Sequence, residues 1–321
     1  MLEQAPSQWI HTEDPRIEKT QRACVACGSS QLRRLGVKNE FEVVSCLDCD
    51  SIYTPYSPWY SSALFYTGFY LSADELSPPA FVNTRLEEIT AEFSPYRENN
   101  RLLDIGCGAG NLLQAARKNG WNAQGLDVSA GAVKHVRGLG FEVYEGELLD
   151  AGFPSEHFDV VTAAELLEHL FDPRPLLHEV ARILRPGGLF WTTTPHARGL
   201  SGRLLGLKWS CVWPPEHLQL FSVRGLGKLL REAGFRQLRI DTTGGNPIEI
   251  FHAMRSTKSA PKTLDQDFAQ HFDQQFDRVT TSYQLNQSMM KSRSRQAFKN
   301  TVNGLLNLSR LGDSLKVFAV K

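Results

Sequence analysis

The sequence predicts an α/β fold preceded by a small metal-binding module, and three observations carry that prediction. From about residue 80 onward, short β-rich runs alternate with helical runs. Three glycines, each separated by one residue, join the first of those strands to its helix. Ahead of them, four cysteines fall into two C-x2-C pairs. Strands alternating with helices over this length build a largely parallel sheet with helices on both faces.

Residues 1–20 read as a lead-in, and residues 21–50 carry the cysteine pairs. Cys24-Val-Ala-Cys27 and Cys46-Leu-Asp-Cys49 give the spacing C-x2-C-x18-C-x2-C. Two such knuckles can place four thiolates tetrahedrally around zinc, whose filled d shell imposes no competing geometry. Four protein ligands leave no open position, so the zinc is expected to be structural; a disulfide or an iron–sulfur role is the alternative. A ribbon of this size has little core of its own, and metal binding would supply much of its folding energy. Its expected task is to shape one side of a substrate site or to contact a protein. Tyr53, Tyr56, Tyr60, Tyr66 and Tyr70 crowd residues 51–75, either as an aromatic linker packed between two modules or as part of a substrate wall. The predicted division is a zinc-ribbon-like module with its linker over 1–75 and an α/β domain over 76–321.

Within that domain PAFVNTRLEEITAEF reads as a leading helix. RLLDIG is a short strand, followed by the glycines and the helical NLLQAARKNG. NAQGLDV is a second strand and AGAVKHVRGLG a second helix. FEVYEG, FDVVTAA and GGLFWTTT supply three further strands, separated by helical stretches such as PLLHEVARIL. VRGLGKLLREAG is a helix with Gly234 placed to cap it, FRQLRIDT a strand, and SLKVFAVK a final strand. The long connection between those last two strands is helical in tone over 264–309. It predicts a helical insertion, about 255–312, because the final strand needs a sheet to join.

Charge narrows the function. Lys and Arg number 35, as do Asp and Glu, and this balance lacks the positive footprint of a general nucleic-acid binder. No uninterrupted apolar run reaches the roughly 18–20 residues that cross a bilayer. The first twenty residues lack the apolar core of a signal peptide. The expectation is a cytoplasmic protein, monomer or homodimer, acting on a small-molecule or glycan substrate away from membranes. The paired cysteines also fit metal ligation in a reducing compartment.

The segment Leu102-Leu103-Asp104-Ile105-Gly106-Cys107-Gly108-Ala109-Gly110-Asn111 joins strand to helix. Missing Cβ atoms permit a tight turn and close ligand approach, and the helix start offers unpaired N–H groups. Dinucleotide enzymes use a related loop. Two aspartates separate the possibilities. Asp104 precedes the glycines, where it can hold the loop and receive a cationic amino group. Asp127 ends the next strand, placed to accept both ribose hydroxyls. That pair suits a nucleoside with an amino-acid tail better than one with a pyrophosphate.

On these residues, 80–321 resemble class I S-adenosylmethionine-dependent methyltransferases. LLDIGCGAGNLL resembles the family's first motif, LDVS the acidic motif after strand two, FDVVTAAELLEHL the fourth-strand motif, and LRPGGLFWTTTP the approach to strand five. The resemblance implies a Rossmann-like seven-stranded sheet in the order 3-2-1-4-5-7-6, its last strand antiparallel. It implies that Gly106, Gly108 and Gly110 approach the methionine moiety, with Cys107 packed inside the loop. Asp127 would bind ribose with Val128 beside it, Glu147 and Leu148 would flank adenine, and Ala163 and Ala164 would leave space near the cofactor.

Methyl transfer needs an aligned nucleophile and, for a hydroxyl acceptor, a place for its proton. Glu165, Glu168 and His169 form E-x-x-E-H; on a helix all three would share one face and could approach a second divalent metal or the acceptor. The motif resembles the metal-binding motif of small-RNA 2′-O-methyltransferases and sequences in ubiquinone-pathway O-methyltransferases. Helix packing is the alternative. His217, in Trp213-Pro214-Pro215-Glu216-His217, is the leading candidate base or acceptor-orienting group. His196, after Thr194-Pro195, is another. The expected reaction is methylation of an oxygen on a sugar, glycan precursor or secondary metabolite. RNA or protein methylation and a nonenzymatic cofactor-binding role are the competitors. Sugar C-methylation is a further one, since the cysteine module resembles those of deoxysugar C-methyltransferases.

Overall fold

The computed structural model describes residues 21–56, 80–245, 249–251 and 292–321. The lead-in 1–20, the tyrosines Tyr60, Tyr66 and Tyr70, and most of the anticipated insertion lie outside the described residues. The chain first forms β1 (Leu32–Lys38), β2 (Phe41–Cys46) and β3 (Ile52–Tyr53). β1 and β2 are a hairpin closed by Asn39 and Glu40, both at positive φ, 50° and 66°. A two-residue hairpin demands that conformation, and Asn accepts it more readily than Glu. A distant segment, β9 (Gln219–Leu220), completes this small sheet in the order β1-β2-β3-β9.

The larger sheet contains β4 (Arg101–Ile105), β5 (Asn122–Asp127), β6 (Glu142–Glu145), β7 (Phe158–Ala164), β8 (Leu184–Pro195), β10 (Gln237–Thr243) and β11 (Ser314–Val320). Their order is β6-β5-β4-β7-β8-β11-β10, which counted within this sheet is 3-2-1-4-5-7-6, as expected. β4 through β8 pair in parallel, and β11 runs antiparallel between β8 and β10. The central strands read as apolar runs because both their faces are covered: β7 is buried along its length up to Ala164.

Around the sheet lie α1 (Ala80–Ala91), α2 (Asn111–Lys118), α3 (Ala130–Gly138), α4 (Arg174–Ile183), α5 (Leu200–Leu205), α6 (Val223–Glu232) and α7 (Arg293–Ser309). α2 buries Leu112, Leu113, Ala115 and Ala116 and ends on Arg117 and Lys118, which complement the helix dipole. α6 is capped by Ser222, whose hydroxyl accepts from Gly225 N at 2.9 Å. Gly234 follows its C-cap at φ +105°. Of the anticipated insertion, α7 and the residues leading into β11 are described. Among the described residues no helix is long and apolar enough to cross a membrane.

One apolar core runs through both sheets. Cys24, Ala26, Val44 and Tyr53 belong to the same buried cluster as Leu103, Ile105, Phe221 and Leu226. On the other face Phe93 meets Trp191 and Phe318 at ring separations of 5.8 and 6.4 Å; burying each such ring contributes about 2–3 kcal/mol. Asp159 anchors the start of β7. Burial works to raise its pKa, but the backbone N–H groups of Glu98 and Asn100 (2.9 and 2.6 Å) and the Arg185 guanidinium (2.6 Å) outweigh it and hold the pKa below the ordinary value.

The four cysteines converge. Cys24 Sγ lies 3.6 Å from Cys49 Sγ, and Cys27 Sγ 3.5 Å from Cys46 Sγ; the four ligand atoms lie within 4.8 Å of one another. A zinc tetrahedron with Zn–S near 2.3 Å has S···S edges of about 3.8 Å, whereas a disulfide needs about 2.05 Å. All four cysteines are free thiols, so the donor set fits a structural zinc ion. The hydrogen bond from Cys24 lowers the pKa of Cys49 to about 5, and the same bond raises that of Cys24.

Two outcomes follow from this packing. Purified protein should hold one zinc per chain, and Cys46→Ser should lose the metal and melt several degrees lower; a metal-free protein with an unchanged melting temperature contradicts the assignment. Asp159→Asn should cost on the order of 3 kcal/mol, the scale for breaking a buried pair. Because the folded pKa of Asp159 is depressed, its contribution is complete above the ordinary aspartate value of about 3.9. That contribution is lost as pH falls through the folded value, so thermal unfolding of the variant should show a weaker acid dependence.

Candidate active site

The glycine loop leaves the C-terminal end of β4. Gly106, Gly108 and Gly110 have φ of 71°, 49° and 72°, a left-handed run that side chains would strain. At Gly110 a Cβ would also sit 3.0 Å from Val136. Gly106 N and Cys107 N both donate to Leu126 O, at 2.8 and 3.1 Å. The Cys107 thiol is buried beneath the loop; a Cβ on Gly125 would come within 2.8 Å of it. Gly125 therefore admits the sulfur, and Cys107 packs, as its sequence context indicates.

Asp127 ends β5 under the same loop. Its Oδ2 accepts from Gly108 N at 2.8 Å and its Oδ1 from Ser129 N at 2.9 Å. Burial raises its pKa against the pull of those donors. Each carboxylate oxygen retains acceptor capacity beyond one N–H. Among the described residues, Asp127 rather than Asp104 ties the loop. Asp104 is buried and accepts from Thr162 Oγ1 at 2.6 Å; burial pushes its pKa up to about 7. Val128 is half-buried after β5. Glu147 is exposed beside the buried Leu148, and Ala164 is half-buried at the end of β7.

β7 is the parallel neighbour of β4, so Glu165, which follows β7, emerges from the same edge of the sheet as the glycine loop. That edge is where open α/β sheets place their ligands. The helical face anticipated for E-x-x-E-H does not form. Glu165 has φ +48°, and only Leu167–His169 makes a single 3-10 turn. The turn sends Glu168 and His169 toward His217 instead. Glu168, His169 and His217 offer ligand atoms within 4.8 Å of one another, with Glu165 outside that set. The two imidazole rings lie 4.8 Å apart, inclined at 60°.

Backbone carbonyls orient both imidazoles. His169 Nδ1 donates to Glu216 O at 2.9 Å and His217 Nδ1 to Cys211 O at 2.8 Å. A neutral imidazole that donates through Nδ1 has its lone pair on Nε2; the Glu165 backbone also hydrogen-bonds the His169 ring. Glu168 is fully buried and its Oε2 accepts from Thr194 Oγ1 at 2.8 Å. Its Oε1 is buried and meets no N–H or hydroxyl donor among the described residues, while the carboxyl lies against that of Glu165. Burial and the neighbouring Glu165 carboxyl raise the pKa of Glu168 well above the usual range. A buried carboxylate oxygen without a donor is costly, and a cation beside it would remove that cost. The donor chemistry therefore fits a divalent cation at Glu168, His169 and His217.

Glu165 is different in kind. Desolvation raises its pKa against the Thr193 and Glu168 hydrogen bonds, yet its residue surface stays accessible. His196 is buried and its pKa falls to about 4 through burial. Its Nδ1 donates to Gly312 O at 2.9 Å and its backbone N to Asp313 O at 2.7 Å, which ties the end of β8 to the approach of β11. The contributions of Thr162, Thr193 and Thr194 were not anticipated; their signal is the placement of hydroxyls in strands otherwise apolar. Arg22 was also missed, and its signal is weaker still, one of several cations ahead of Cys24.

Comparison with known proteins agrees with this geometry. A family model described as a methyltransferase domain matches residues 80–240. The ubiquinone biosynthesis O-methyltransferase of Thiobacillus denitrificans is 30% identical over 162 residues, covering 46% of this chain and 69% of that protein. Its counterpart in Alkalilimnicola ehrlichii is 34% identical over 123 residues, covering 35% and 49%. Against several of these curated relatives the chain thus spans about half of their length. A SAM-dependent methyltransferase from Archaeoglobus fulgidus superposes with a TM-score of 0.47 at 19% identity, covering 80% of this chain and 98% of that one. With the family matched across half of its length and the glycine loop and acidic strand end in place, the chain belongs to the methyltransferase domain family and is an S-adenosylmethionine-dependent methyltransferase.

Proposed function

We propose that this enzyme methylates a phenolic oxygen of a small molecule, of the quinol or catechol class, within the cytoplasm. The observation that carries the reading is the convergence of Glu168, His169 and His217 beside Glu165, at the sheet edge from which the cofactor loop also emerges. The relatives named for ubiquinone biosynthesis O-methyltransferase support an oxygen acceptor of that kind. Balanced charge argues against RNA as the substrate. Free, paired cysteines fit a reducing compartment.

In this reading residues 1–75 form the zinc-bearing module and 76–321 the methyltransferase domain. Gly106, Gly108 and Gly110 leave room for the methionine part of the cofactor, and Asp104 faces its amino group. Asp127 accepts from ribose, and Val128, Glu147 and Leu148 border the adenine. Ala164 leaves space for the reacting end. When bound, S-adenosylmethionine supplies a methyl group activated by its sulfonium. A divalent cation on Glu168, His169 and His217 would supply Lewis acidity that favours the ionised acceptor oxygen. Glu165, at the accessible mouth of the cluster, takes the proton that the acceptor hydroxyl loses. The new bond is methyl carbon to oxygen, the broken one methyl carbon to sulfur. His196 holds the end of β8 in place for this work through Gly312 and Asp313.

A labelled-methyl transfer screen over catechols, quinols, nucleotide sugars and RNA tests the reading. The label should appear on a phenolic oxygen. Glu165→Gln should slow transfer by about 10²–10⁴-fold, the range for a lost general base, with cofactor affinity intact. Asp127→Ala should instead weaken cofactor binding in calorimetry. Label on RNA or on a sugar carbon would overturn the acceptor assignment.

A further inference from the structure

The acceptor-side cluster is assembled from segments far apart in the chain: the turn after β7 and the loop before β9. The two bond to each other directly, His169 Nδ1 to Glu216 O and Leu218 N to Glu168 O, and a third part of the chain grips both. Arg22, two residues before the first cysteine, donates to three backbone carbonyls: Nε to Thr54 O at 2.8 Å, Nη2 to Leu218 O at 3.0 Å, and Nη1 to Phe171 O. Phe171 follows His169 by two residues and Leu218 follows His217 directly. One guanidinium therefore clasps both histidine-bearing segments and the cysteine module together. Its Cζ lies 4.1 Å from the Phe171 ring centroid and 5.4 Å from that of Tyr53.

Leu218 is fixed from both sides. Its N–H donates to Glu168 O at 2.9 Å, and its carbonyl accepts from Thr54 N at 3.0 Å as well as from Arg22. The next two residues pair with β3, Tyr53 opposite Gln219 and Ile52 opposite Leu220. Gln219 Nε2 then reaches back to Leu167 O and Leu170 O, at 3.0 and 2.6 Å, on either side of Glu168 and His169. Upstream of His217, Asn39 of the β1–β2 turn donates to Pro214 O at 2.7 Å. Downstream, the Ser222 hydroxyl donates to Cys49 O. The loop carrying His217 is thus gripped before, at and after that histidine by residues of the module.

We propose that the four-cysteine module is the positioning element of the acceptor site, and that Arg22 is the positioning residue through which it sets His217 against Glu168 and His169. The inference rests on the reading of those three residues as the acceptor-side cluster. It gives the structural zinc a consequence for catalysis without any contact with substrate. Arginine is required because a planar fork can serve three carbonyls at once, whereas a lysine ammonium is a point charge on a flexible stem.

The test uses the full chain with zinc bound and compares wild type with Arg22→Lys and Arg22→Met. Arg34→Ala, on the exposed part of β1, serves as control. The imidazole nitrogen resonances of His169 and His217 should shift or broaden in both Arg22 variants, while those of His196 stay in place. Cofactor affinity should remain within about twofold, because the glycine loop is untouched, and zinc should remain at one per chain. With a phenolic acceptor kcat should fall at least tenfold in both variants and be unchanged in Arg34→Ala. Unperturbed His169 and His217 resonances in a folded Arg22→Met protein would overturn the proposal. Should Arg22→Met not fold, Arg22→Lys decides: wild-type resonances and kcat there contradict it. If wild type transfers no methyl to phenols while the two resonances still respond to Arg22, the acceptor assignment fails and the positioning role stands.

Discussion

The peptide between His217 and Gln219 carries more of this structure than its length suggests. Leu218 donates to Glu168 O and accepts from Thr54 and Arg22, and the two residues after it close the small sheet against β3. A buried backbone segment must satisfy its polar groups somewhere, and here the partners come from two sides. The turn after β7 supplies one, and the cysteine module supplies the rest. The position of His217 follows from that division. So does the continuity of the apolar core, in which Cys24, Cys46 and Cys49 share a cluster with Phe221, Leu226 and Leu229. The module is therefore packed into the molecule's core.

The two halves of that site are built on different principles. The cofactor half is local: β4, the left-handed glycines and α2 follow one another, and Asp127 needs only the adjacent strand to reach Gly108 N. Its rigidity comes from backbone hydrogen bonds and from close approaches that only glycine allows, such as Cys107 against Gly125. The proposed acceptor half is non-local and polar. The buried Glu168 carboxyl, the accessible Glu165 and two imidazoles meet there, and desolvation moves the pKa of both glutamates upward and that of His169 down to about 3. The surroundings of Glu165, Glu168 and His169 disfavour charge, a cost that structures tolerate mainly at sites of function.

Much of this was legible before any fold was known. The seven strands follow from periodicity, because parallel central strands are apolar throughout and their helices are amphipathic; their order and the antiparallel last strand follow from the resemblance to class I methyltransferases. The cysteine spacing specified its own geometry, since only two residues separate the ligands of each pair. What could not be read was anything set by long-range pairing. E-x-x-E-H looked like a helical face, yet Glu165 takes positive φ and the turn tightens to 3-10, so the triad became Glu168 and His169 with His217. No local pattern announces that β9, a strand of two residues, joins the small sheet. Nor does any mark Arg22, whose three acceptors lie 32, 149 and 196 residues away.

The central claim, that the fold draws Glu168, His169 and His217 into one cation-binding acceptor site, meets its most direct test in anomalous diffraction. Crystals of the zinc protein would be soaked with manganese and S-adenosylhomocysteine, and difference maps recorded at the edges of both metals. The account predicts a zinc peak among Cys24, Cys27, Cys46 and Cys49. It also predicts a separate manganese peak bounded by a Glu168 carboxylate oxygen and the Nε2 atoms of His169 and His217. A manganese peak absent from that cluster, with both Nε2 atoms bonded to protein donors or acceptors instead, would contradict it.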